Sequence, residues 1–283
     1  MPCKKICEIR HQLIELFKQH EIDNPSADAG VIIMHVLGIT KTQLIMGDML
    51  VEKSAEDKIF SLAGRRCNGV PVQYLTGECE FMSLKFKVNK SVLIPRADTE
   101  ILVEALIERF GNKKIRIADI GCGSGCIGIS LLHYLNNATV TAVDISKGAI
   151  GTAKENALLN NVSERISFLE CDIMQNIPDI VADCIVSNPP YIRSDVIPML
   201  EKSVKEFEPY SALDGGIDGL DFYRRIAKYI KPVQNGILAF ETGYDQGDAV
   251  AEILSQNSYT NIEIIKDIEG RQRVVLGYLQ DNT

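Results

Sequence analysis

IRIADIGCGSG, residues 115–125, is the stretch on which the fold turns. IRIADI reads as a strand, and it runs straight into Gly121-Cys122-Gly123-Ser124-Gly125. There the chain must turn sharply and bring its backbone close to a ligand without Cβ atoms in the way. A helix from about residue 125 offers free backbone amides. Working outward, a helix is expected at 98–110, and strands TVTAVD, ISFLE and CIVSN follow, with a helix at 146–160 after the first of them. A helix at about 218–231, strand GILAFE and a helix near 246–256 come next. The strands IEIIKD and RVVLGYL, parted by Glu269-Gly270, read as a closing hairpin. Helix and strand in alternation imply a parallel sheet. The expected fold is therefore α/β and doubly wound: a mainly parallel seven-stranded sheet with an antiparallel last strand and a ligand crevice at the strands' carboxyl ends.

The first part of the chain has a different period. Ile6, Ile9, Leu13, Leu16 and Phe17 repeat at three- and four-residue spacing, as one buried helical face does. Pro25, Ser26 and Asp28 open a second helical run through Val31, Met34 and Leu37, and Ser54 is placed to cap a third through Ile59 and Leu62. Near residue 78 the period turns to alternation, with Phe81, Phe86 and Val88 in ECEFMSLKFKV. We thus expect a helical bundle at 1–78, a hairpin linker at 79–97 and the α/β domain at 98–283.

A length of 283 residues suits two domains. No apolar stretch approaches the roughly 20 residues of a membrane span. MPCKKICEIRHQL carries no apolar signal core, so a cytoplasmic protein is expected. The net charge of -8 opposes a phosphate backbone, and the excess acid lies beyond residue 90, where 27 acidic face 18 basic side chains. No stable nucleic-acid binding is expected. Of eight cysteines, the close pairs are Cys3/Cys7 and Cys122/Cys126, neither in CxxC spacing, and buried free thiols are expected with no metal. A monomer is the default.

In such a fold the glycine loop binds a nucleotide-like cofactor, and Asp144, ending TVTAVD, is placed to accept from two ribose hydroxyls. Gly123-Ser124-Gly125-Cys126-Ile127-Gly128 also satisfies the dinucleotide pattern GxGxxG, but its first glycine should directly follow the strand, and that place belongs to Gly121. The frame favours a methyl donor. Asp119 is an acid that tolerates the cationic methionyl end of S-adenosylmethionine and not a pyrophosphate. Asp172 is a candidate acceptor for an adenine amino group, with Ile173 beside the ring.

Strand CIVS delivers Asn188-Pro189-Pro190-Tyr191 to the same crevice edge. The double proline removes two backbone donors and leaves the carbonyls of Asn188 and Pro189 without internal partners. An NH2 group held between the Asn188 side-chain oxygen and the Pro189 carbonyl would be oriented by two hydrogen bonds, with the Tyr191 ring against the planar group that carries it. The expected chemistry is methylation of a planar nitrogen, driven by orientation and preorganised dipoles.

DIGCGSG at 119–125, AVD at 142–144 and SNPPY at 187–191 resemble class I methyltransferases of the amino-methylating type. PVQYLTGECEFMSLKFKV, LIPRADTE, EPYSALDGGIDGLDFYRRI, FETGYDQGDAV and EGRQRVV resemble the release-factor glutamine N5-methyltransferases, known as PrmC or HemK. That resemblance implies a seven-stranded methyltransferase sheet behind a helical substrate-recognition domain. It also implies methylation of the glutamine amide in the Gly-Gly-Gln motif of peptide chain release factors. Gly121, Cys122, Gly123, Ser124, Gly125, Asp144, Ile173 and Asn188 would then hold the methyl donor, beside Asp119 and Asp172 read from their positions above, and Asn188, Pro189, Pro190 and Tyr191 the glutamine. Pro95, Arg96, Thr99 and Glu100 match a family segment near the site, and Ile173 stands where the family often carries an aromatic residue. The rival readings are an adenine-N6 methyltransferase acting on a flipped base and a non-catalytic adaptor built on the cofactor fold.

Overall fold

A computed structural model describes residues 3–280. The chain divides into two compact units, the first made of residues 1–78 and 201–207, the second of 79–200 and 208–283.

In the first unit, β1 (Lys4–Lys5) pairs antiparallel with β2 (Leu50–Val51). The helices are α1 (Ile6–Gln19), α2 (Pro25–Leu37), α3 (Lys41–Met46), α4 (Lys53–Cys67) and α5 (Val72–Thr76). Ile6, Ile9, Leu13 and Phe17 form the buried face of α1 and meet Ile32 and Ile33 of α2 and Ile59 of α4 in one core; Leu16 is only partly buried. Ser54 does not cap α4, which begins one residue before it at Lys53 after an extended Glu52. The short α3 is fixed at both ends: Thr40 and Gln43 form a capping box and Gly47 closes it in the left-handed conformation.

The second unit opens with the hairpin β3 (Glu78–Phe81) and β4 (Leu84–Lys87). It packs as part of that unit's core: Phe81 and Phe86 meet edge to face and are buried among α6 (Ala97–Phe110) and the sheet. The sheet strands are β5 (Ile115–Ile120), β6 (Ala138–Asp144), β7 (Ile166–Glu170), β8 (Cys184–Ser187) and, later in the chain, β9 (Ile237–Glu241), β10 (Tyr259–Lys266) and β11 (Gln272–Leu279). Between them lie α7 (Cys126–Tyr134), α8 (Lys147–Leu159), α10 (Asp221–Tyr229) and α11 (Gly247–Gln256); α9 (Lys202–Lys205) belongs to the first unit's excursion.

The strand order is β10-β11-β9-β8-β5-β6-β7, and only β11 runs antiparallel to its neighbours. This is the expected doubly wound sheet. One face packs on α6, α7 and α8 around Leu102, Ile129 and Ala153, the other on α10 and α11 around Tyr223, Ile226 and Leu254. β8, covered on both faces, is buried at all four residues, as a central parallel strand must be. The order reverses at β5 and β8, which opens a crevice at their carboxyl ends. Among the described residues no helix is long and apolar enough to cross a membrane.

The cysteines depart from expectation. Cys3, ahead of β1, and Cys7, off the buried stripe of α1, are exposed, while Cys122 and Cys184 are buried; all eight are free thiols.

Candidate active site

Register sets the site. Ile120 of β5 pairs with Ser187 of β8, and Ser187 pairs with Phe240 of β9, so Gly121, Asn188 and Glu241 come off or end three adjacent strands in one row. The Ser187 hydroxyl donates to the Ile120 carbonyl at 2.6 Å and ties the first two exits together. A cavity of about 370 Å³ opens above this row. The glycine loop forms one wall, and Asp144, Asp172, Ile173, Asn188, Pro189 and Pro190 line others.

The loop residues split by task. Gly121 and Gly123 have φ of 72° and 53°, and a Cβ on either would enter open space, so the backbone itself faces the cavity. Gly125 instead serves packing: it precedes α7 at φ 78°, and a Cβ there would fall 2.8 Å from Ile129 Cδ1. It does not line the cavity. Ser124 lines it, and its buried hydroxyl has no hydrogen-bond partner.

Asp144 is held by two amides, Oδ2 accepting from Gly123 at 2.9 Å and Oδ1 from Ser146 at 2.8 Å. Each oxygen keeps a further lone pair for a ligand. Burial raises its pKa against the pull of those amides. Asp119 corrects the sequence reading. It is fully buried beneath the loop, away from the cavity lining, where Oδ2 accepts from the Gly128 amide at 3.0 Å and Oδ1 has no partner. Burial pushes its pKa up to about 7. It braces the start of α7 rather than touching a ligand.

The cavity fits S-adenosylmethionine better than a dinucleotide. Its charged lining comprises Asp144, Asp172 and Asp214 against Arg96 alone, a balance that repels a pyrophosphate and accepts a sulfonium and ribose hydroxyls. Ile173, Met174, Phe222 and Ile226 supply an apolar wall for a flat base. Phe222 from α10 brings an aromatic ring to the cavity that holds Ile173, and Arg225 on the same helix donates to the Ile173 carbonyl at 2.6 Å. The Asp172 side chain accepts from the Met174 amide at 2.9 Å, which fixes that loop.

On the substrate side, Asn188 Nδ2 donates to Thr99 Oγ1 at 3.3 Å, which leaves Oδ1 directed elsewhere. No backbone donor meets the Pro189 carbonyl among the described residues. The tetrapeptide is seated by a loop of glycines: Gly215 lies so close to Pro190 and Tyr191 that a Cβ would fall 2.8 Å from both, and Gln246 Nε2 donates to the Tyr191 carbonyl at 3.0 Å. Tyr191, expected to lay its ring on the substrate, packs against the second core cluster beside the cavity. Burial and nearby Glu241 push its hydroxyl up to about 12.

The family segment LIPRADTE divides as well. Pro95, Arg96 and Thr99 line the cavity, whereas Glu100 accepts from the Met82 amide at 2.6 Å and holds the hairpin turn. Arg96 forms two bonds to the buried Glu208 carboxylate, at 2.8 and 2.7 Å. Sequence reasoning gave no site role to Pro209, Tyr210, Ser211, Ala212, Asp214 or Phe222, which complete the lining. The signal was present: residues 206–220 form a glycine-rich connection longer than two packed elements need, and such loops are usually functional.

The family description "PrmC N-terminal domain" matches residues 8–77, and "Methyltransferase small domain" matches residues 96–203. The chain is 40% identical over 266 residues to a release factor glutamine methyltransferase of Clostridium botulinum, covering 92% of this chain and 94% of that one. It is 40% identical over 267 residues to one of Moorella thermoacetica, covering 92% and 93%. A methyltransferase structure from Pyrococcus furiosus, 16% identical, matches with a TM-score of 0.52 over 70% of this chain and 90% of that chain, which shows the shared fold. By sequence over nearly its whole length, the chain belongs to the release factor glutamine methyltransferase family.

Proposed function

We propose that this chain methylates the side-chain amide nitrogen of the Gly-Gly-Gln glutamine in peptide chain release factors, acting as a cytoplasmic monomer. S-adenosylmethionine, when bound, supplies an electrophilic methyl group on a sulfonium sulfur. Gly121 and Gly123 give the close backbone approach, Asp144 accepts from the ribose, and Ile173 and Phe222 flank the base. Ser124 offers its unpartnered hydroxyl. Asn188 Oδ1 and the Pro189 carbonyl accept from the two amide hydrogens of the glutamine and fix its nitrogen in place. An amide nitrogen is a weak nucleophile because its lone pair is delocalised. Two acceptors favour the pyramidal form and stabilise the positive charge that grows on nitrogen during attack. The nitrogen–methyl bond forms as the methyl–sulfur bond breaks, leaving a neutral thioether. The N-protonated amide is acidic enough to give its extra proton to water, so the attack itself requires no general base. The helical first unit recognises the protein substrate.

The observation that carries this reading is the Asn188 amide. Its NH2 is engaged by Thr99, so its oxygen is the end left for a substrate NH2. The test incubates the protein with methyl-labelled S-adenosylmethionine and, separately, purified release factor, duplex DNA and RNA. Label is expected in the release factor alone. Label in nucleic acid and none in release factor would overturn the reading in favour of a flipped adenine.

A further inference from the structure

Glu241 is a buried acid at the site to which the proposed chemistry gives no task. β9 is parallel to β8 with Phe240 opposite Ser187, so Glu241 ends its strand beside Asn188. Its side chain is 2% exposed, and Oε2 has no hydrogen-bond partner. The Thr99 and Asn188 side chains lie beside its carboxyl and pull its pKa down, against the burial that raises it to about 7. Asn188 Nδ2 donates to Thr99 Oγ1 at 3.3 Å, so the three polar side chains meet at one place under the cavity edge. Arg273, the neighbouring cation, is committed to Asp98 and Asp267 at 3.0 and 2.9 Å and makes no ion pair with Glu241. Tyr223 donates to the Glu241 carbonyl and not to the carboxyl.

A carboxyl buried without a counter-ion is costly, and a strand end needs none for folding. The cost acquires a purpose at Asn188. The two ends of an asparagine amide have nearly the same shape and opposite hydrogen-bonding character, so shape alone lets either face the cavity. With NH2 outward, the residue would set donor against donor when a substrate amide arrived. A carboxyl that accepts and a threonine hydroxyl that can accept on the sheet side admit only the NH2 there.

We infer that Glu241, with Thr99, is the positioning pair that locks the Asn188 amide with its oxygen toward the cavity, and thereby selects a substrate that presents an NH2 group. This rests on the reading of Asn188 as the acceptor for the glutamine amide. The pair acts through Asn188, and Glu241 itself lies outside the cavity lining.

The experiment uses the full chain with Glu241→Leu, Glu241→Gln and Thr99→Val, each alone and combined with Asn188→Ala. Single-turnover methylation of release factor, cofactor affinity by calorimetry and hydrogen exchange of the Asn188 side-chain NH2 by NMR are read for each. Glu241→Leu is expected to lower turnover about 30- to 100-fold, the scale of a misaligned polar group at a reacting centre, with cofactor affinity within about 3-fold. Glu241→Gln keeps an acceptor and is expected within about 5-fold of the parent. In the Asn188→Ala background Glu241→Leu should cost no more than about a further 3-fold, since residues acting through one another are not additive. The Asn188 NH2 should exchange slowly in the parent and in Glu241→Gln, and fast in Glu241→Leu. Should Glu241→Leu not fold, Thr99→Val, which removes only the hydroxyl, carries the same coupling test. Full independence of either variant from Asn188→Ala, or an Asn188 NH2 equally protected in the positioning variants that fold, would overturn the inference. If the parent fails to methylate release factor, the proposed function falls, and the exchange measurement still decides the positioning of Asn188.

Discussion

Asp119→Asn tests whether that acid is a brace under the glycine loop or a ligand contact. The Asp119 carboxyl is fully buried, with one oxygen on the Gly128 amide and the other unpartnered, and burial lifts its pKa from 3.8 to about 7. Its folded pKa lies above its unfolded one, so the folded chain binds the proton more tightly. The group's contribution to stability is therefore greatest below about pH 4 and declines as pH rises through 7. A shift of about 3 pKa units corresponds to roughly 4 kcal/mol at high pH, of which roughly 2–3 kcal/mol develops between pH 5 and pH 8. Asp119→Asn keeps an acceptor for Gly128 and never ionises. Its stability relative to the parent should therefore rise by roughly 2–3 kcal/mol from pH 5 to pH 8, seen as a relative gain of about 5–10 °C in melting temperature. Thermal unfolding of both chains at the two pH values measures it, and calorimetry should find cofactor affinity within about 3-fold. A stability of the variant relative to the parent that stays constant or falls with rising pH would refute the buried, proton-holding brace. A large loss of cofactor affinity would return Asp119 to the binding site.

Asp144→Ala removes a charged acceptor worth about 1.5–3 kcal/mol per ribose bond and also releases the Gly123 and Ser146 amides, so calorimetry should find cofactor affinity at least about tenfold weaker. Gly219→Ala sets a Cβ 2.4 Å from the Tyr191 carbonyl at a φ of 76°, which must move the Asn188–Tyr191 turn. Single-turnover methylation should fall more than about tenfold there, while Gly151→Ala, in open space on α8, should leave the rate unchanged and add roughly 0.5–1 kcal/mol of stability. Asn188→Ala should lower turnover about 100- to 1000-fold with a smaller effect on cofactor binding. Asn188→Asp should fall at least as far by the same assay, because it loses the NH2 that Thr99 engages and sets a second carboxyl near Glu241.

Much of this arrangement was legible in the sequence because it is written locally. Alternating strand and helix patterns gave the sheet, Gly121–Gly125 gave the loop, and Asn188–Tyr191 gave the second edge of the crevice. Where residues far apart in sequence meet, the reading ran out. Asp119 and Gly125 belong to the loop motif, yet their tasks come from what packs below them, Gly128 in one case and Ile129 with Ala153 in the other. Thr99, Asn188 and Glu241 meet only through helix packing and strand register, which no local pattern encodes. The β3–β4 hairpin was visible as alternation, but only the contacts of Phe81 and Phe86 place it in the second unit's core. The excursion of residues 201–207 into the first unit left no periodic signal at all. The capping box Thr40–Gln43 starts a helix too short to show a period, and the sequence reading passed over it.

The central claim is that the methyl group goes to a glutamine amide nitrogen held by Asn188 and Pro189. The most direct measurement is fragment mass spectrometry of a release factor incubated with this protein and S-adenosylmethionine, set against the same release factor with its Gly-Gly-Gln glutamine replaced by glutamate. The account predicts one added CH2 on the side-chain amide of that glutamine and none in the replaced protein. The methyl on a carboxylate, a lysine or the main chain, or equal methylation of both proteins, would contradict it.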